Sequence, residues 1–161
     1  MRLKSAVLLT AICLGVVIGW SPPAAAQETS VTAGAGGIFP PGTTFSGVPI
    51  NGLQSGYGVE ITSTSAIGQF CTVLLGVNAI GLQQNIVIQG TASSGSRTAA
   101  NIATFSGTCS VNMGDGTPPT PGVPFTATIT TDANDQGSIG LVIGLTTLPN
   151  AVVSAGSMTI K

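Results

Sequence analysis

A chain of 161 residues with four Lys+Arg, five Asp+Glu and no histidine has the length of one domain and very little charge. A net charge of −1 cannot neutralise a row of phosphates, which excludes nucleic acid as a partner and leaves no basic surface for anionic lipid headgroups. Without histidine, the usual general base near neutral pH is missing, and so is every Ser-His or Cys-His pair.

Residues 1–26 follow the order of an export signal. Arg2 and Lys4 come first, then an apolar run Ala6–Ile18 broken only by Thr10, then small residues ending at Ala24-Ala25-Ala26. The run is short of the roughly 20 residues that cross a bilayer. Cys13 follows Ile12, where a lipoprotein signal wants a small residue. The expectation is a signal peptide, an exported product that is periplasmic, cell-surface or extracellular, and no stable membrane span after cleavage. The mature chain would keep Arg97 and Lys161 against Glu28, Glu60, Asp115, Asp132 and Asp135, a net charge of 2 − 5 = −3. Its content of Val, Ile, Leu and Phe is enough to bury a core.

Residues 27–42 read as an N-terminal arm or linker. Val31, Ala33, Ala35, Gly37 and Phe39 share one parity, so an extended arm presents small apolar groups on one face. Such an arm is able to add a strand to a neighbouring sheet, which makes a pilin-like subunit one functional alternative. Phe39-Pro40-Pro41-Gly42 then punctuates the chain before the main domain, residues 43–161.

Period-two alternation dominates that domain. Tyr57, Val59 and Ile61 form one series, and Phe105, Gly107, Cys109 and Val111 a second. Val123, Phe125, Ala127 and Ile129 form a third, and Ile139, Leu141, Ile143 and Leu145 a fourth. Apolar runs at Phe70–Leu75, Ile86–Ile88 and Val152–Ile160 supply further strands. Ala66–Gly81 is the one stretch where a helix competes. Turns fall at Gly114-Asp115-Gly116, across Pro118–Pro124 and at Asp132–Gly137. The pattern predicts an all-β fold, an antiparallel β-sandwich of about seven or eight strands, with a small β-barrel as the alternative. Thr44-Phe45-Ser46-Gly47 recurs as Thr104-Phe105-Ser106-Gly107, which raises an internal duplication.

Few residues are able to carry chemistry. Cys71 and Cys109, an even pair in an exported chain, predict one disulfide. A Ser-Lys dyad has only the last residue, Lys161, to draw on. Glu60 is the one acid inside a predicted strand and reads as solvent-facing. Asp132, Asn134 and Asp135 resemble the opening of a calcium loop, but Gln136 takes the third ligand position and Ile143 stands where the closing glutamate belongs. An ordinary hairpin turn competes with calcium there, and no other cofactor is implied. Tyr57 is the one candidate aromatic platform for a glycan, against a place at the edge of the core.

The sequence therefore predicts an exported, non-enzymatic structural or interaction protein whose partners are other protein subunits or envelope components. A small-ligand, glycan or calcium module, working through the loops at Asp115 and Asp132–Asp135, is the alternative from the binding class.

Overall fold

The computed structural model describes residues 28–63 and 65–161, so the expected leader, 1–26, lies outside the described residues. Ten strands and no helix make up the described chain: β1 Thr29–Ile38, β2 Thr44–Phe45, β3 Val48–Ile61, β4 Ala66–Gly76, β5 Ile86–Ala99, β6 Ile102–Asn112, β7 Thr120–Thr131, β8 Gly137–Ile143, β9 Thr146–Thr147 and β10 Ala151–Ile160. Among the described residues no helix is long and apolar enough to cross a membrane.

All pairings are antiparallel, and they run β1-β10-β8-β7-β6-β5-β4-β3 before β1 pairs again with β3. The expected all-β antiparallel fold is therefore present as one continuous sheet curled into a barrel-like ring. Closure leaves few free strand edges, the main hazard of an open sheet.

Alternation decides which side chains face inward. On β6, Ala103, Phe105, Cys109 and Val111 are buried, while Thr104, Ser106 and Ser110 lie on the opposite face. Hydroxyl pairs tie neighbouring strands on that outer face: Thr104 with Thr128 at 3.2 Å, and Ser94 with Ser106 at 2.8 Å. The interior is closed by aromatic rings. Phe70 stacks on Phe125 at 4.8 Å, and Phe105 meets Tyr57, Phe70 and Phe125 at 5.5, 6.0 and 6.2 Å. Each such buried ring contributes about 2–3 kcal/mol through area removed from water. Ser55 and Thr72 bring hydroxyls into this interior and satisfy each other. Gly107 lets two strands close up: a Cβ there would stand 1.9 Å from the Thr91 carbonyl oxygen.

The seam between β8 and β10 is the ring's thinnest, with Ala151↔Ile139 and Val152↔Ser138 as its only register pairs. The reason is local. Past Gly144 (φ 60°) the chain doubles back as β9, which occupies the edge of β8 at Val142 and Ile143. That turn also takes Leu145 out of the fourth alternating series and leaves it fully exposed.

Two expectations are corrected, and two alternatives that the sequence left open are decided. The segment expected as a free arm, within 27–42, is instead strand β1, hydrogen-bonded to β3 on one side and β10 on the other, with Val31 and Ala35 buried. Its parity is right, but its partners are in the same chain. The stretch in which a helix competed is strand β4. The predicted disulfide is absent: Cys71 and Cys109 are both free. In register Cys71 faces Gln89 across β4–β5 while Cys109 faces Gly90 across β5–β6, so the two cysteines sit on different strands and point to opposite faces of the sheet. A bridge needs Cβ atoms about 4 Å apart and aimed at each other. Finally, the repeated tetrapeptide is no structural repeat. Ser46 (φ 49°) and Gly47 (φ 82°) form the tight turn joining β2 to β3, whereas Thr104–Gly107 runs straight through the middle of β6.

Proline sits inside β7 for a clear reason. Register pairs with β8 begin only at Phe125, so Pro121 and Pro124 precede the β7–β8 ladder; at its end Pro124 only accepts, its carbonyl taking the Gly144 N–H at 2.8 Å. The β6–β7 register slips between Cys109 and Val111, and the Cys109 thiol donates to the Val123 carbonyl there at 3.2 Å.

Candidate binding face at the uncharged end

The meander gives the ring two unlike ends. At one end β1, β4, β6 and β8 finish and β3, β5, β7 and β10 begin. Six of the seven large apolar side chains that the described chain exposes lie here: Ile38, Val77, Ile80, Leu82, Leu145 and Val152; the seventh, Ile67, lies near the other end. Among the described residues the only charged side chain at this end is Asp115. Glu28, Glu60, Arg97, Asp132, Asp135 and Lys161 all lie at or near the opposite end.

A lid crosses the uncharged end. Pro40-Pro41-Gly42-Thr43 makes a turn with Gly42 at φ 84° and the Thr43 N–H donating to the Pro40 carbonyl at 3.3 Å, the geometry that proline and glycine favour in those two places. The Thr43 hydroxyl also donates to Pro40 O at 2.7 Å. Ile50 N–H then bonds Thr43 O and Phe39 N–H bonds Asn51 O, so both legs of the lid are fastened to β3. Phe39 and Phe45 are carried inward and buried.

Beside Phe45 the mouth of the ring remains open as a cleft of about 310 Å³, lined by Phe45, Val111, Met113, Val123 and Ile143 with Ser46, Thr120 and Thr146 at its rim. The rim hydroxyls have no hydrogen-bond partner among the described residues. The cleft holds no ionisable group. Asp115, two residues past Met113, accepts from the Thr117 hydroxyl at 2.7 Å and the Thr117 N–H at 2.9 Å, and these bonds hold its carboxyl below the usual carboxylate range.

At the charged end Asp132 and Arg97 are engaged by their own turns. One Asp132 oxygen accepts the N–H groups of Asn134 at 2.8 Å and Gln136 at 3.0 Å, while Asp135 (φ 57°) accepts Met158 N–H at 2.7 Å through its carbonyl. Asp132, Asn134 and Asp135 thus share one loop, and the loop is an Asx turn. Among the described residues, no group of three or more His, Cys, Asp or Glu is placed to hold a metal. The wider hollow at this end, about 530 Å³, runs between Ile61–Ser63 and Gly95–Ala100. Its single cation, Arg97, is bonded to the carbonyls of Ala99 at 3.3 Å and Ala100 at 2.7 Å, so it caps its own hairpin.

The predicted residues do not converge. Asp115 and Asp132 stand at opposite ends of β7, a strand of twelve residues, so they do not form one site. Glu60 faces solvent from β3 near the charged end. Tyr57 is buried against Phe105, which rules out a glycan platform; its hydroxyl lacks a partner among the described residues, and burial pushes its ionisation far above the usual tyrosine range. Cys71 is half-buried on the outer face, while burial raises the Cys109 thiol.

Met113, Ile80 and Leu82 escape a reading of the sequence, while Phe45 figures there only in the repeated tetrapeptide and Leu145 only in an alternating series. The signals were Ser46-Gly47, Ile80-Gly81-Leu82 and Gly144-Leu145, each an apolar residue set beside a turn former. Compared with family models, curated proteins and solved structures, the chain matches none.

Proposed function

We propose that the protein is an exported, non-enzymatic interaction protein of the cell envelope or extracellular space, and that the uncharged end of the ring is its working face. One observation carries this reading: exposed apolar side chains gather where formal charge is nearly absent. Scattered exposed leucines need no explanation, but apolar groups collected on one charge-poor face mark contact surfaces. Export is supported by the arrangement of residues 1–26. The non-enzymatic reading is supported by the chemistry of the side chains. No histidine is available, Glu60 is solvent-facing, Tyr57 is buried, and the three aspartates at 115, 132 and 135 lie in turns.

Fractionation of the producing cell tests the reading. The wild-type chain is expected to sediment with envelope material, and a variant carrying Ile80→Ser, Leu82→Ser and Leu145→Ser to be released. Equal partition of both chains overturns the working face. Turnover of a hydrolase substrate that disappears in Glu60→Gln overturns the non-enzymatic reading.

A further inference from the structure

An eight-stranded ring has an interior just wide enough to be filled by side chains or to hold one small ligand. Here the middle of the interior is filled by Tyr57, Phe70, Phe105 and Phe125, so inside the ring only the mouths offer room; a further hollow of about 430 Å³ lies on the outer face of β3–β5, at Gly56, Gly58, Gln69, Cys71 and Gln89. The two mouths differ in chemistry. At the charged end the hollow is walled by Thr, Ser and backbone, and its arginine is already engaged. At the uncharged end the cleft has an apolar floor and a rim of unpaired hydroxyls.

We propose that the cleft beside Phe45 is a binding site for a small, uncharged amphiphile, its alkyl chain laid on Val111, Met113, Val123 and Ile143 and its hydroxyl bonded at the rim by Ser46, Thr120 or Thr146. The inference rests on the uncharged end being the working face and adds the ligand class. Size agrees: 310 Å³ is at the small end of the range of roughly 300–1,000 Å³ typical of ligand sites. The polar complement agrees as well, because the rim hydroxyls both donate and accept, which suits an alcohol. Charge sets the selection. The cleft offers no cation to pair with an anionic headgroup such as that of a fatty acid, and the one formal charge among the described residues at this end is the carboxylate of Asp115, so an alcohol is favoured over an anion. Phe45 ends the two-residue strand β2 at the edge of the cleft, and Met113 is an unbranched, adaptable wall.

The test uses 1-octanol and octanoate as probes, with methyl NMR on the mature protein. Octanol is expected to give saturable shifts confined to Val111, Met113, Val123 and Ile143. Octanoate should bind at least fivefold more weakly, and Asp115→Asn should narrow that gap. Val123→Trp, its fold checked by circular dichroism, should weaken octanol at least tenfold. Thr120→Val, at an exposed strand end, should weaken it about threefold with the fold intact. No saturable octanol binding up to its solubility limit, equal binding by octanoate, or shifts centred on Ile80 and Leu82 would each overturn the site. If phosphatidylcholine vesicles alone reproduce the cleft shifts, the ligand is a bilayer rather than a free amphiphile and the proposal also fails. The serine variant at Ile80, Leu82 and Leu145 separates the two claims. If it loses envelope sedimentation while octanol fails to bind wild type, the working face stands and the cleft does not.

Discussion

The two ends of the ring are built from the same kind of hairpin and cap their turns in the same way, yet they present opposite surfaces. At the charged end each turn is satisfied internally: Asp132 caps its own loop, Arg97 caps the β5–β6 hairpin, and Lys161 exchanges backbone bonds with Ser30. At the uncharged end Asn78, Asn112 and Asp115 cap their turns too, but the chain also leaves large apolar side chains outside and an apolar cleft open beside Phe45. The difference teaches where to look for function. Groups that complete local structure are poor candidates for partners, and groups that local structure leaves unsatisfied are good ones.

The sharpest way to break this comparison is to remove the lid's anchor. Phe45→Ala is expected to cost about 3 kcal/mol, at the low end for a buried phenylalanine because the cleft already adjoins it. The midpoint of urea unfolding should fall accordingly, and binding of a hydrophobic dye should rise as Val111 and Ile143 open to solvent. A change below about 0.5 kcal/mol would mean that the lid is not packed in solution. At the other end, Asp132→Ala removes the acceptor for two backbone N–H groups at once. A loss of about 1 kcal/mol is expected, by analogy with helix caps. Wild type and this variant are both expected to be indifferent to added calcium. Calcium-dependent stabilisation of wild type that vanishes in this variant would reinstate a metal loop at Asp132–Asp135.

Much of the fold was legible because period two is a strong signal once the inward face is uniformly apolar. The series through Tyr57, Phe105, Phe125 and Ile139 name 12 of the 29 buried hydrophobic residues, and the runs at Phe70–Leu75, Ile86–Ile88 and Val152–Ile160 add others. What was not legible follows from the kind of information that alternation carries. It reports a face and says nothing of which strand pairs with which, so β1 reads equally well as a donated arm or as the strand that closes the ring. The cysteines fail for the same reason: even count and export predict a bridge, but only the register reveals that Cys71 points out while Cys109 points in. Of the candidate site, the apolar floor at Val111, Val123 and Ile143 was visible as core, but the lid was not. Its turns look like punctuation, and punctuation gives no direction in space.

The thiols sharpen the comparison at smaller energies. One thiol, Cys71, should react with a disulfide reagent in the native protein, and Cys109 only after unfolding, since it is buried with its sulfur bonded to Val123 O. Reducing agent should leave the melting temperature unchanged, and Cys71→Ser should shift stability by less than about 0.5 kcal/mol. A fall in melting temperature on reduction, reproduced by Cys71→Ser, would mean that the two sulfurs are bridged and that the register of β4 and β5 is wrong.

The smallest effects belong to the uncharged end, and their smallness is informative. Leu145 is fully exposed, so Leu145→Ser should leave stability within about ±0.5 kcal/mol while still contributing to release from the envelope. Asp115 gives a matching electrostatic reading. Its carboxyl is held below the usual range first by the Thr117 hydroxyl and then by the Thr117 N–H. A lowered folded value means that the stabilisation is complete above the unfolded carboxylate range and disappears as acid carries the pH down through the folded value. Carbon-detected NMR titration should therefore find Asp115 ionising at lower pH than a free aspartate, and Thr117→Val should move it back towards the ordinary value by removing the larger of the two bonds. An Asp115 that titrates normally in wild type would mean that the loop beside Met113 is not held by Thr117, and the fixed negative charge invoked to reject anionic amphiphiles would lose its anchor.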